Sequence, residues 1–195
     1  MVGVAECPVC HGRDLVPYSF DAWSAADLHF AQVRCAGCGL LISQPQATAA
    51  EMAALYRHSY YDEHWPDAEG IFRETSALNE RHEFALLQQL WASWPPPAGG
   101  SIVDVGCGYG AMFPALVAAG YQVTGCEPSA RAVNFCRQQG FEVLEGVVPD
   151  VDFGRRFDVT VSLQVIEHVA DIRSFVRTLV GLTRPGGIVA IATED

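Results

Sequence analysis

Basic residues are scarce in this chain of 195 residues: 12 stand against 23 acidic ones, for a formal net charge of −11. Such a field repels a phosphate backbone, so no nucleic-acid substrate or partner is expected. Long apolar runs are missing too. Half of the residues are hydrophobic, yet no stretch approaches the roughly 18 consecutive apolar residues that span a bilayer, so no membrane partner is expected. The amino terminus, Met1-Val2-Gly3-Val4-Ala5-Glu6, lacks the basic start and apolar core of a secretory signal. A cytoplasmic setting follows as the expectation, one in which thiols stay reduced and free to bind metal. Internal repeats and low-complexity tracts are absent as well. The length suits one sizeable core plus a small module.

What is present begins with Val103-Asp104-Val105-Gly106-Cys107-Gly108-Tyr109-Gly110, a short apolar run, an acid, then three glycines at alternate positions. Ser101–Val105 reads as a buried strand, and Ala111–Ala119, ending at Gly120, as a helix with a glycine cap. The glycines then occupy a tight strand-to-helix turn, where missing side chains let a ligand approach the backbone N–H groups. Gly106, Gly108 and Ala111 satisfy a nucleotide-cofactor fingerprint, which alone leaves the cofactor open. A second strand, Tyr121–Cys126, leads into Glu127, 21 residues after Gly106. An acid at that distance accepts hydrogen bonds from ribose hydroxyls. Phe157–Leu163 reads as a further strand, Gln164–Val169 as a helical stretch, and Arg184-Pro185-Gly186-Gly187 as a turn before a last strand, Ile188–Thr193.

Near the other end, Cys7-Pro8-Val9-Cys10 and Cys35-Ala36-Gly37-Cys38 are two C-x-x-C pairs 24 residues apart. Each pair can form a knuckle presenting two thiolates, and two knuckles complete a tetrahedral four-sulfur site suited to Zn²⁺. A redox dithiol is the alternative, but no βαβ pattern surrounds either pair. A disulfide would need an oxidising compartment. His11 follows Cys10 and could replace a ligand, though Cys7, Cys10, Cys35 and Cys38 already saturate the metal. The expected role is structural, because about 40 residues bury too little apolar surface to fold alone. Cys107, Cys126 and Cys136 are read as packing residues.

Between these regions, Thr48-Ala49-Ala50-Glu51 fits a capping box opening a helix to about Tyr56. Tyr60-Tyr61-Asp62-Glu63-His64-Trp65-Pro66 reads as an aromatic loop. A second helix is expected from about Thr75 to Trp91, with Leu87, Leu90, Trp91 and Trp94 on one face. Trp94–Gly100, with three prolines, breaks it. The expected organisation is a zinc ribbon at 1–45, a helical bridge or lid at 46–98, and a cofactor-binding core at 99–195.

Asp104-x-Gly106-x-Gly108-x-Gly110, Glu127, the Phe157 strand running into Ile166-Glu167-His168-Val169, and the Pro185-Gly186-Gly187 turn together resemble the class I methyltransferases that use S-adenosylmethionine. The resemblance covers about residues 100–195. A dehydrogenase would share only the first two features. The resemblance implies an α/β, doubly wound Rossmann-like parallel sheet, here incomplete because the last hairpin is missing after Ile188–Thr193. It therefore implies a C-terminally truncated core, whose exposed sheet edge makes an oligomer possible. It also implies S-adenosylmethionine bound by Asp104, Gly106, Cys107, Gly108, Gly110, Glu127, Leu163 and Gln164. Enzymes of sugar and natural-product metabolism look similar in placing a zinc module before the core. That likeness implies a small-molecule acceptor and a lid that could use Tyr60, Tyr61 and Trp65.

Methyl transfer needs a base when the acceptor starts protonated, and His168, after the fourth strand of the core, is the expected one. His58, His64 and His82 are the alternatives. Quinone-pathway O-methyltransferases resemble this corner but carry Glu-x-x-Glu-His, where this chain reads Gln164-x-x-Glu167-His168. Gln164 removes one anionic ligand, so a second metal is not expected. Asp150 is the candidate acid for the adenine amino group. The rival functions are an RNA methyltransferase, which the acidic balance disfavours, and a truncated or degenerate methyltransferase acting as a binding module.

Overall fold

The computed structural model describes residues 3–25, 28–58, 67–79 and 83–193. The aromatic loop with Tyr60, Tyr61, His64 and Trp65 lies outside the described residues, as does His82. The chain divides into two compact units, Met1–Met52 with Val169–Ser174, and Ala53–His168 with Phe175–Asp195.

The first unit holds an antiparallel sheet ordered β1 (Leu15–Ala25), β2 (Leu28–Cys35), β3 (Leu41–Gln44). Its register runs from Leu15 opposite Cys35 to Ala25 opposite Leu28, so the long separation between the cysteine pairs is a hairpin. Among the side chains described, Cys7, Cys35 and Ile42 are buried, with Val4, Leu15, Val33 and Leu40 packed around them. Helix α1 (Ala49–His58) starts at the expected capping box. The Thr48 N–H donates to Glu51 Oε2 at 2.8 Å, and the Glu51 N–H donates to Thr48 Oγ1 at 3.2 Å. Two orphan donors of the first turn are thereby satisfied.

The second unit contains α2 (Ala68–Asn79), α3 (Glu83–Ser93), β4 (Ser101–Val105), α4 (Phe113–Ala118), β5 (Gln122–Glu127), α5 (Ala130–Gln138), β6 (Glu142–Glu145) and β7 (Phe157–Leu163). A 3₁₀ turn (Ile166–His168), α6 (Ile172–Leu182) and β8 (Thr183–Ala192) follow. The strands form one sheet ordered β6-β5-β4-β7-β8, with every pairing parallel. This is the doubly wound α/β class expected from the sequence. β4 is buried throughout, as a parallel strand covered on both faces must be. After β4 the chain builds outward through β5 and β6, then returns to place β7 on the other side. The order therefore reverses between β4 and β7, where doubly wound sheets open a crevice for ligands.

Three local expectations are corrected. Over the helix expected at Thr75–Trp91, α2 is described to Asn79 and α3 from Glu83, residues 80–82 lying outside the described ones, and the buried face differs from the one expected. Phe84, Leu87 and Trp91 of α3 are buried against Ile102, Leu116 and Val159, whereas Leu90 is 46% exposed and Trp94 65%. Neighbouring residues on a helix are turned by about 100°, so Leu90 cannot share the face that Trp91 buries. The helical stretch Gln164–Val169 contracts to a single 3₁₀ turn, preceded by Gln164 at φ +54°. Left-handed backbone at a non-glycine residue cannot begin an α-helix. Arg184–Gly187 belongs to β8 itself: Thr183 pairs with Phe157 and Ile188 with Val159, so the intervening residues form a bulge.

That bulge closes on Asp158. Its Oδ2 accepts from the Ser101 N–H and hydroxyl, each at 2.8 Å, and Oδ1 accepts from Arg184 at 2.7 Å. The Ser101 N–H foremost, and the Arg184 guanidinium against the cost of burial, hold this carboxyl below its ordinary value of 3.8. A depressed folded-state value stabilises fully above the unfolded value, and the contribution is lost as pH falls through the folded one. Urea unfolding between about pH 2 and pH 7 should therefore show Asp158→Asn less stable at neutral pH, with a smaller loss on acidification than the parent. Parallel pH profiles would exclude this role.

Candidate active site at the carboxyl ends of the central strands

The glycine turn is strung onto the end of β5. The N–H groups of Gly106 and Cys107 donate to the Cys126 carbonyl at 2.8 and 3.2 Å. Glu127, only 2% exposed, accepts the Gly108 N–H on Oε2 at 3.0 Å and the Ser129 N–H on Oε1 at 2.9 Å. Ser129 also caps α5, its hydroxyl accepting from the Ala132 N–H. One buried carboxylate thus ties the loop after β4 to the helix start after β5. Asp104 is buried between Gly125 of β5 and Val161 of β7 in the register.

Two glycines have no substitute here. Gly106 lies at φ +81°, and a side chain would run into Val165 Cγ2. Gly125 is in β5, where a Cβ would come within 2.6 Å of Cys107 Sγ and 2.8 Å of the Phe113 ring. Sequence reading named Gly106 but not Gly125, Val165 or Ser129. A serine just ahead of a helical stretch is the one signal among them, as a helix cap.

β7 supplies the other wall. The Ser162 hydroxyl donates to the Val105 carbonyl at 2.9 Å, fastening the two strand ends together. Leu163 closes β7, and the Gln164 N–H donates to the Ala192 carbonyl at 2.8 Å. Left-handed backbone at Gln164 is held by its neighbours, a pattern that clusters at ligand sites. The structure therefore gathers Asp104, Gly106–Gly110, Glu127, Leu163 and Gln164 around adjoining strand ends.

His168 sits one turn on, its N–H bonded to the Val165 carbonyl at 2.9 Å and its side chain 44% exposed. Its Nε2 is 3.8 Å from Glu167 Oε1, too long for a hydrogen bond. Asp150 is exposed in the turn after β6. Helix α2 reaches the glycine turn through rings: Phe72 meets Phe135 edge-on at 5.3 Å, and Phe135 meets Tyr109 at 5.3 Å.

The nearby thiols are chemically quiet. Contact with Cys136, then burial and the carboxylates of Asp104 and Glu127, push Cys107 well above the usual thiol range. Burial, with help from the same two carboxylates, pushes Cys126 up to about 12. Neither is a thiolate near neutral pH, so both fill space, as expected.

The four amino-terminal cysteines converge. Their sulfurs all lie within 4.8 Å of one another, with Cys7 to Cys38 at 3.6 Å and Cys10 to Cys35 at 3.5 Å. Four sulfurs each 2.3 Å from one zinc would be about 3.8 Å apart. The knuckles are built alike. The His11 N–H donates to the Cys7 carbonyl and the Gly39 N–H to the Cys35 carbonyl, and His11 and Gly39 share positive φ, +60° and +80°. Burial raises the Cys7 thiol, but the N–H groups of Cys10 and Val9 and the neighbouring thiols bring it down to about 6. At Cys38 the Leu40 N–H favours the thiolate, and crowding by the Cys7 sulfur and burial outweigh it, giving about 12. A cluster with N–H groups aimed at its sulfurs, crowded so that the thiols compete for one charge, fits a thiophilic divalent cation. His11 turns elsewhere, with Nδ1 3.2 Å from Glu6 Oε1.

A five-stranded doubly wound sheet with an acid-anchored glycine turn at its switch point is a frame suited to a nucleotide-like cofactor, and residues 103–191 match the family described as methyltransferase domain. That match spans just under half of the chain, which over this part is similar to the S-adenosylmethionine-dependent methyltransferases that its motifs resemble. Among curated relatives, a ubiquinone biosynthesis O-methyltransferase of Methylobacterium sp. (strain 4-46) is 39% identical over 107 residues, covering 50% of this chain and 42% of that protein. One from Albidiferax ferrireducens is 30% identical over 157 residues, covering 74% and 59%. The chain thus spans about half the length of the curated relatives it matches. Among solved structures, the magnesium protoporphyrin IX methyltransferase of Synechocystis PCC 6803 superimposes with a TM-score of 0.52 at 17% identity, covering 67% of this chain and 69% of that one, a likeness of fold. Among the described residues, no helix is long and apolar enough to cross a membrane.

Proposed function

We propose that the protein transfers a methyl group from S-adenosylmethionine to a small-molecule acceptor, and that its four-cysteine module is a structural zinc ribbon. The observation that carries the reading is the glycine turn fastened to the buried Glu127 carboxylate. A carboxylate offers about four acceptor sites, so Glu127 can hold the turn and a ribose together. The amino-acid end of the cofactor then lies over Asp104–Gly108, beside the Leu163 carbonyl and Gln164. The bound sulfonium supplies the electrophile. What the chain must do is hold the acceptor in line at near-attack distance, exclude water, and take up a proton. His168 is the group we assign to that proton. The organisation proposed is ribbon 1–45, bridge 46–98 and core 99–195.

The acceptor we favour is a sugar or natural-product intermediate, because a zinc module ahead of the core resembles enzymes of those pathways. A phenolic hydroxyl is the second reading, supported by relatives named ubiquinone biosynthesis O-methyltransferase. Methyl-labelled S-adenosylmethionine incubated with nucleotide-linked sugars and with polyphenols separates the two. His168→Gln should lower transfer about 10²- to 10⁴-fold while leaving S-adenosylhomocysteine affinity unchanged. Cofactor binding without transfer to any acceptor would favour a docking module instead.

A further inference from the structure

We infer that Tyr56 is a positioning residue for His168, so that helix α1 contributes to the acceptor side of the site; this rests on His168 being the base. A proton acceptor must be aimed as well as present, and the 3₁₀ turn Ile166–His168 gives an imidazole little support. The backbone of His168 is pinned by its N–H bond to Val165, but nothing in that bond fixes the ring. The Glu167 carboxylate, 3.8 Å from Nε2, is too distant to orient it by a hydrogen bond. The Tyr56 ring meets the imidazole with centroids 5.9 Å apart and planes inclined at 66°. That is an edge-to-face pairing within the favoured 4.5–7 Å range.

Both residues belong to the same compact unit, which begins at Ala53. The carboxyl-terminal half of α1 is therefore part of the body that carries the site. Tyr56 is half-buried and His168 44% exposed, so the pair sits at the edge of solvent, where an acceptor would enter. Ring pairing of this kind favours one imidazole orientation by roughly two- to tenfold over the rotamers available without it. The effect falls on proton removal and not on the cofactor, whose proposed contacts lie on β4, β5 and β7. Among the described residues, the titratable groups that meet the ring are Glu167 from its own turn and the phenol of Tyr56 from α1.

The test uses the full chain labelled with ¹⁵N-histidine and saturated with S-adenosylhomocysteine, the His168 signals being assigned by their loss in His168→Gln. Tyr56→Leu should lower the order parameter of the His168 imidazole, which loss of the tyrosine ring current alone would not, and Tyr56→Phe should preserve it, because the ring makes the contact. Calorimetry should give the same S-adenosylhomocysteine affinity for all three proteins, which shows that the fold and cofactor site survive. An unchanged order parameter in Tyr56→Leu, or a drop in Tyr56→Phe as large as in Tyr56→Leu, would overturn the inference. Full methyl transfer by His168→Gln would strike down the base itself, and the positioning role with it, even with the ring contact confirmed by NMR.

Discussion

Replacing Cys35 with serine should release the metal and unfold residues 3–44, while the parallel sheet from β4 to β8 stays folded. Among the side chains described, the first unit buries Cys7, Cys35 and Ile42 together, and Cys7 and Cys35 are themselves proposed ligands. Without the ion, four thiols stay crowded together at the base of the sheet with nothing to hold them, and a module of this size cannot readily repay its ordering entropy. Structural zinc contributes on the order of 10 kcal/mol to domains of this kind, more than such a core can replace. Metal analysis should find close to one zinc per chain in the parent and almost none in Cys35→Ser. Backbone hydrogen exchange should show β1–β3 losing protection, with 101–192 unchanged. Zinc-free protein that keeps its protection in β1–β3 would remove the structural role from the metal.

Glu127→Ala should cost both cofactor affinity and stability, by separate routes. Losing the proposed ribose hydrogen bonds to a charged acceptor should weaken S-adenosylhomocysteine binding by about 1.5–3 kcal/mol, roughly 10- to 150-fold. Removing the carboxylate also strips partners from the Gly108 and Ser129 N–H groups. Each donor left unsatisfied in a buried place costs about 1–3 kcal/mol. Glu127→Gln should fall between the two, since its amide keeps one acceptor oxygen but turns an NH₂ group toward an N–H. Calorimetric titration and urea unfolding on the same samples separate the effects. Parent-like affinity in Glu127→Ala would take the ribose off this residue, and tighter binding of a nicotinamide dinucleotide by the parent would point to dehydrogenase chemistry.

The legible part of this molecule is the part written in local chemistry. β7 runs Phe157–Leu163, where Phe157, Val159, Val161 and Leu163 alternate with Asp158, Thr160 and Ser162, the period of two that marks a strand. The capping box at Thr48 and Glu51 was readable because both partners lie three residues apart. The two cysteine pairs were readable because metal ligation constrains spacing. Where the readings failed, the deciding contact was remote. Nothing local distinguishes Leu90 from Leu87, and only packing on Ile102 and Val159 selects the face that α3 buries. Gln164 carries no mark of left-handed backbone, which its bond to Ala192 and the approach of Val165 to Gly106 impose from outside.

By itself, then, the sequence determined the order of the elements, the doubly wound class, the glycine turn with its following acid, and the convergence of four thiols. Each is dictated by short-range sterics, periodicity or ligand spacing. The tertiary structure alone decided that Glu127 is a structural tie before any ligand arrives, that Gly125 makes room for Cys107 and Phe113, and that Tyr56 of α1 meets His168. These pairings range from Gly125 with Phe113, about three helical turns of chain apart, to the much longer span from Tyr56 to His168. Contacts over such separations depend on how strands and helices stack, which no local pattern encodes.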